Sequence, residues 1–316
     1  MVTDKGTDEG ALHNRTLRLM GNRFEISVIA DDSLFANNCI DAGITEIQRI
    51  EKLLTTFSDN SATNYINAHA GINPVKTERE VLELILRSKK ISEITQGSFD
   101  ISYGSVDKTL WNFDTTITSL PDAATAKKSV RLINYRNIIL NEKAGTVFLK
   151  EKGMRIGFGG IGKGYAADRA KQIVQQMGIK SGIVNAAGDL TAWGYQQNGS
   201  TWTIGIANPD AAEHPFSALN ITDKAVATSG NYEKFVMIDG KKYSHTINPK
   251  TGLPVTGIKS VTIIAPSAEL ADALATPVMV MGLQPGLHLI NQLPGINCII
   301  VTDDNKLFTS ANLKIS

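Results

Sequence analysis

Apolar residues recur at three- and four-residue intervals through "LFANNCIDAGITEIQRIEKLLTTF", at Ile40, Ile44, Ile47, Ile50 and Leu54, which predicts one amphipathic helix with a single buried face. "REVLELILRSKKISEITQG" repeats the pattern and stops at Gly97, a helix-ending glycine. The two helices flank the turn-rich "SDNSATNYINAHAGINP". Ahead of them, "TLRLMGNRFEISVIA" is rich in β-formers around a Met20-Gly21 break, which predicts a strand or bent strand pair. From about residue 130 the pattern shortens to β-like runs: "RNIILNE", "TVFLKEKGMRIGF", "GIVNAAGDL", "WTIGIANP" and "KFVMIDGKKYSHTINP", the last with an Asp239-Gly240 hairpin signal. Three helices interrupt this half: one after the glycines near residue 160, one at "SAELADALATPVMVMG" and one at "GLHLINQL". Grouped strands and grouped helices predict an α+β fold rather than a regular βαβ alternation. Residues 1–14 read as a disordered segment and 15–316 as one compact domain, or one domain of two subdomains.

Composition narrows the function classes. Of 316 residues, 42% are hydrophobic and 20% charged, enough for a large core. Lys+Arg 32 against Asp+Glu 31 leaves no global excess of charge to hold nucleic acid or an anionic membrane, so any anion site is built locally. Cys39 and Cys298 form no metal-ligand spacing and read as two buried free thiols. No apolar run reaches the length of a membrane span, and the opening "MVTDKGTDEG" is polar.

Three stretches carry candidate chemistry. "RIGFGGIGKGYAADRA" satisfies two nucleotide patterns, through Gly157, Gly159 and Gly162 and through Gly157, Gly162 and Lys163. A dinucleotide loop requires an acidic residue about 20 positions on, and a Walker loop requires Ser or Thr where Gly164 stands, so neither pattern is complete. The physical content that survives is a set of glycine amides at the start of a helix, suited to a phosphate; a tight turn is equally compatible. In "AELADALATPVMVMG", Asp272 and Thr276 are four apart and share a helix face. Carboxylate and hydroxyl oxygens suit Mg²⁺, with helix-start capping by Asp272 as the alternative. Pro277 predicts a kink beside Thr276. In "YSHTINPKTG", His245 follows a strand and precedes a turn, the setting of a general acid or base, a phosphate contact or a structural histidine.

Taken in order, "GSFDIS", "GFGGIGKGYAADRA", "NAAGDL", "ATSGNYEKF", "YSHTINPKTGLPV" and "ELADALATPVMVMG" closely resemble the FAD:protein FMN transferases, the ApbE-like flavin transferases, over nearly the whole chain from Leu17. The resemblance implies layered antiparallel sheets with flanking helices, related to the T-fold. It also implies an enzyme that takes FAD as substrate and Mg²⁺ as cofactor, moves FMN to a Thr or Ser hydroxyl of a partner flavoprotein within a Gly/Ala/Ser/Thr-rich motif, and releases AMP. By motif position, Asp272, Thr276 and the Gly160 carbonyl would hold the metal. FAD would meet Met20, Phe57, Ser98, Phe99, Asp100, Gly157, Lys163 and the backbone at Thr246, with the Phe57 ring stacked on the flavin. His245 is the candidate base, with Asp272 the alternative. The chain departs from the family pattern at Gly157 (for an Asp), Lys163 (for an acidic residue), Ala187 (for a Gly) and Pro277 (for a small residue). The rival activities are FAD hydrolysis to FMN and AMP, and FAD storage without turnover. Family members are often exported and lipid-anchored, which places the chain in the periplasm or on the outer face of a bacterial membrane, with the cytoplasm as the alternative.

Overall fold

In the computed structural model, which describes residues 10–107, 110, 119–208, 211–230, 235–238 and 240–313, "NRFEISVIA" is the strand Asn22–Ala30. Phe24, Ile26 and Val28 are fully buried at every second position, while Ile29 joins a separate cluster on the opposite face. The strand pairs antiparallel with Ala11–Leu19 through the Met20-Gly21 loop. Both loop residues have positive φ, 49° and 73°, the mirror-image turn whose twist matches a hairpin. The first strand thus starts at Ala11, inside the segment expected to be disordered to residue 14. Its side chains are mostly exposed because it is the sheet edge, so it lacks the apolar alternation that marks a half-buried strand.

These two strands begin an eight-stranded sheet that continues through Gly182–Ala186, Asp189–Trp193, Lys224–Gly230, Ile258–Ala265, Asn297–Thr302 and Leu307–Thr309. Every pair is antiparallel, and neighbours in space are neighbours in sequence order. The sheet is therefore one long meander into which other elements are inserted, in agreement with the α+β expectation. The helices are α1 (Ser33–Leu54), α2 (Ala62–Ala68), α3 (Arg79–Ile94), α4 (Ala123–Ser129), α5 (Gly162–Gln176), α6 (Ala268–Met281) and α7 (Leu283–Asn291). Only α2 and α4 were absent from the sequence expectation. Each is too short to show a period and rests on a polar cap: Ser61 accepts from the Asn64 amide, and Asp122 from those of Ala124 and Thr125.

The two faces of the sheet are covered differently. Helices α1, α5 and α6 bury the larger cluster, in which Ile40, Ile47, Ala166, Ala170 and Leu274 meet Phe24, Ile26 and Val261. On the other face lies the hairpin Trp202–Asn208 with Ala211–Ile221, whose Trp202, Ile204 and Ile221 close over Leu190, Val226 and Ile264. Ile258–Ala265, between these layers, is buried along its whole length. The expected strand "TVFLKEKGMRIGF" is regular only over Thr146–Leu149. Its later part is held in place by the Asn67 side chain, which accepts from the Ile156 amide at 2.7 Å and donates to the Ile156 carbonyl at 3.0 Å, so that one amide side chain does the work of a neighbouring strand. The helix α6 runs through Pro277, the residue expected to kink it, and ends at Met281. Cys39 and Cys298 are buried and free, as expected. Among the described residues, no helix is long and apolar enough to cross a membrane.

Candidate functional site

The site begins where the N-termini of α5 and α6 meet. The Gly164 amide, in the first turn of α5, donates to Asp272 Oδ2 of α6 at 3.1 Å. In return, Asp168 of α5 accepts from the first amides of α6, Ala268 at 3.0 Å and Glu269 at 2.8 Å. Each helix thus caps the other with a carboxylate placed at the positive end of its dipole. The approach is so close that a Cβ on Gly164 would lie 2.1 Å from the Ala268 carbonyl oxygen. That contact explains why no Ser or Thr follows Lys163: the position is reserved for helix packing, and no magnesium-binding hydroxyl fits there.

Lys163 reaches from α5 to two buried carboxylates. Its Nζ donates to Asp189 Oδ2 and stands 3.5 Å from Asp272 Oδ1. Burial pushes the Asp272 carboxyl up, against the opposing pull of Lys163 and the Gly164 amide. Burial, reinforced by the negative charge of Asp272, likewise raises Asp189. Burial works against the Lys163 ammonium, but the two aspartates outweigh it and hold its proton firmly. Two carboxyl groups share one ammonium, and burial makes the ionisation of both costly, a cost that a divalent cation relieves.

This triad lines a cavity of about 580 Å³, within the size range of small-molecule sites. The cavity brings together Gly159, Gly160, Lys163, Asp272 and Thr276 with His245 and Ser229. Thr276 Oγ1 lies 3.3 Å from Ser229 Oγ. Carboxylate, hydroxyl and peptide oxygens form the donor set of a hard cation, so the residues expected to hold Mg²⁺ fit such an ion by their chemistry. Among the described residues, no group of three His, Cys, Asp or Glu side chains offers a softer alternative. The exposed His245 ring sits on the segment that leaves the strand Lys241–Ser244.

The remaining expected residues do not line this cavity, and Asp100 lines a second one. Phe57 is 99% exposed, which rules out a role as a helix-end core residue and leaves its ring free for a planar partner. Its neighbour Thr56 has Cγ2 3.6 Å from where a Cβ of Gly157 would sit, so this loop lies beside the glycine stretch. Met20, in its positive-φ turn, faces the start of α5, with Cε 3.8 Å from the Gly162 Cβ direction. The Phe99 ring backs Gly160 in the same way at 3.6 Å. Ser98 is buried, and the Asp100 carboxylate is engaged by the Ser102 amide and hydroxyl and by the Tyr135 amide, so it organises the chain. The Gly157 amide donates to the Ile101 carbonyl at 2.8 Å, which fastens the two segments together. Thr246 donates its amide to Ser244 Oγ and accepts from Val255, fixing the hairpin that carries His245. Of the "ATSGNYEKF" block, residues 231–234 lie outside the described residues, as does Asp239 of the expected turn.

The amides expected to cradle a phosphate are partly committed: Gly157 to Ile101, Gly162 to Phe158, and Gly164 to Asp272. Of the glycines in this stretch, Gly159 and Gly160 line the cavity. Asp189 and Ser229 were not singled out from the sequence. Both fall within blocks of the family resemblance, "NAAGDL" and "ATSGNYEKF", which was the available signal.

A family model described as the ApbE family matches residues 20–300. An FAD:protein FMN transferase of Klebsiella pneumoniae is 31% identical over 295 residues, spanning 93% of this chain and 90% of the relative. One of Treponema pallidum is 31% identical over 284 residues, spanning 85% and 78%. Among solved structures, the ApbE protein of Thermotoga maritima superposes with a TM-score of 0.85 at 29% identity, covering 95% of this chain and 97% of that one. The apo form of the Pseudomonas stutzeri flavinyl transferase ApbE reaches 0.82 at 24% identity, a likeness of fold, covering 95% and 94%.

Proposed function

The chain belongs to the ApbE family, and from that membership we propose that it is an FAD:protein FMN transferase, which moves FMN from FAD to a Thr or Ser hydroxyl of an acceptor protein in a Mg²⁺-dependent reaction. The observation that carries this reading is the convergence of Asp272, Thr276, Gly160, Lys163 and His245 on one cavity. Binding alone needs no pair of buried carboxyl groups at the wall of the cavity.

In this reaction the acceptor oxygen forms a bond to the phosphorus that carries the flavin. The bond from that phosphorus to the bridging pyrophosphate oxygen breaks, AMP leaves with the electron pair, and the hydroxyl proton passes to a base. Asp272, Thr276 and the Gly160 carbonyl would hold Mg²⁺, which would supply charge neutralisation for the pyrophosphate. Lys163, anchored on Asp189, offsets phosphate charge without having to be ordered during the reaction. His245 takes the hydroxyl proton, since among the described residues it is the imidazole that lines the cavity. Phe57 provides a stacking surface for the isoalloxazine.

The test is mass spectrometry of a Thr-containing Gly/Ala/Ser/Thr-rich peptide after incubation with the protein, FAD and Mg²⁺, with AMP followed in parallel. A phosphoester-linked FMN on the Thr with matching AMP is the expected result. AMP release with an unmodified peptide would replace the transferase reading by hydrolysis, and no turnover at all would reduce it to flavin binding.

A further inference from the structure

A second cavity, of about 780 Å³, has a lining of opposite character. Lys127 and Lys128 of α4, Arg131 just beyond it, Arg136 and Lys250 all line it, and all five are exposed. Among the described residues, none of the five forms a salt bridge. The Lys127 ammonium rests on the Lys250 carbonyl and the Arg136 guanidinium over the Tyr135 ring, 4.7 Å from its centroid, neither of which neutralises charge. Among the described residues, the one carboxylate in the lining, Asp100, is buried and already engaged by Ser102 and Tyr135. With a net charge of only +1 for the whole chain, so many unpaired cations around one hollow do not follow from average composition.

The position of the groove indicates its occupant. Pro249 and Lys250 at its edge belong to the hairpin that carries His245 into the first cavity, and this hairpin folds back on itself through the Gly252 amide and the Asn248 carbonyl. Five residues of extended chain span at most about 18 Å, so the groove begins within that distance of the proposed base. A polypeptide whose hydroxyl reaches His245 and whose chain follows this hairpin would meet the groove a few residues away from that hydroxyl.

We propose that this groove docks an acidic segment of the acceptor protein, lying about five residues from the modified Thr or Ser. The proposal rests on the transferase reading for the identity of the partner. Carboxylates on an extended segment meet cations that are spaced along an open trough, and the attraction steers the acceptor before its hydroxyl enters the site.

The test uses two labelled synthetic peptides with the same Thr-containing Gly/Ala/Ser core, one carrying four glutamates about five residues from the Thr and the other four glutamines. Binding is followed by fluorescence anisotropy with the full chain. The glutamate peptide is expected to bind at least about fivefold more tightly at low ionic strength, with the advantage shrinking as salt screens the groove. Lys128→Glu/Arg131→Glu should erase that advantage while FAD affinity, read by flavin fluorescence, stays unchanged. Lys128→Gln/Arg131→Gln should reduce it, which separates lost attraction from added repulsion. Equal binding of the two peptides, or a preference that survives both double variants, overturns the proposal. Weakened FAD binding in the variants overturns it as well, by assigning the groove to the dinucleotide phosphates. Anisotropy requires no turnover, so peptides that bind as expected but acquire no FMN would count against the transferase reading and leave the groove assignment standing.

Discussion

Asp168 and Asp272 make the same kind of contact: each is a carboxylate, half-buried in Asp168 and buried in Asp272, that caps the first turn of a helix it does not belong to. They differ in what else they face. Asp168 is used up by two amides of α6 and does not line the catalytic cavity. Asp272 spends one oxygen on the Gly164 amide, while its other oxygen is 3.5 Å from the Lys163 ammonium at the cavity wall. The pair shows how a structural device becomes a reactive one. The capping bond holds the carboxylate rigidly, and the oxygen left over is available to a cation without any need to reorganise.

Asp272→Ala is the strongest way to break that comparison. If Asp272 holds the metal, the change should lower Mg²⁺-dependent transfer by about 10²- to 10³-fold, several kcal/mol of transition-state stabilisation. Mg²⁺ should raise the melting temperature of the wild type and leave that of the variant unmoved. A variant that keeps both its activity and its Mg²⁺ shift would return Asp272 to the purely structural class of Asp168.

Next in size is Lys163→Met, which leaves Asp189 and Asp272 facing each other in a buried site. Breaking a buried pair in this way costs about 3–5 kcal/mol, measurable by denaturant unfolding. The pH dependence gives the sign. Burial raises both carboxyls in the folded state, Asp189 up to about 7, above an unfolded value near 4. Between those limits the folded protein binds more protons than the unfolded one, so stability falls as pH rises. Without the ammonium the fall should steepen, and the deficit of the variant should be larger at pH 8 than at pH 5. An equal deficit at both values would show that Lys163 contributes packing alone.

Asp168→Ala sharpens the comparison from the other side. Loss of two capping bonds should lower stability by about 2 kcal/mol, while transfer per folded molecule stays close to wild type. A loss of activity larger than the loss of folded protein would mean that the orientation of α6 tunes Thr276 and Asp272 as well.

How far the sequence discloses this site follows from the distances along the chain. The helices α1 and α3 are readable because their apolar spacing is local. Asp272 and Thr276 are readable as a pair because one helical turn separates them. Lys163 and Asp189 are 26 residues apart, Gly164 and Asp272 are 108 apart, and no local pattern announces such partners. The ordered blocks of the family resemblance bracket all four, which indicates the neighbourhood but not the cross-capping. The strand Ala11–Leu19 is legible only from Thr16 for a different reason: the first half of an exposed edge strand is polar and resembles a tail. Phe57 is a different case: the family resemblance alone singles it out, and its exposure in the structure leaves the ring open to a partner.

The smallest predicted effect concerns two hairpins of the same sheet. Ala187-Gly188 joins Gly182–Ala186 to Asp189–Trp193 as Met20-Gly21 joins the first two strands, and in each loop a non-glycine residue takes up positive φ, 55° for Ala187 and 49° for Met20. Ala187 is exposed, so its methyl group gains no packing to offset the left-handed conformation. Ala187→Gly relieves that strain but adds freedom to the unfolded chain, leaving a net gain of about 0.5 kcal/mol. Met20 packs partly against the core and faces the start of α5, so Met20→Gly should lose contacts and give no such gain. Thermal melts of the two variants side by side decide the point. Stabilisation by Ala187→Gly alone would mark Ala187 as tolerated strain and Met20 as a residue kept for what its side chain touches; equal gains would leave Met20 without that role.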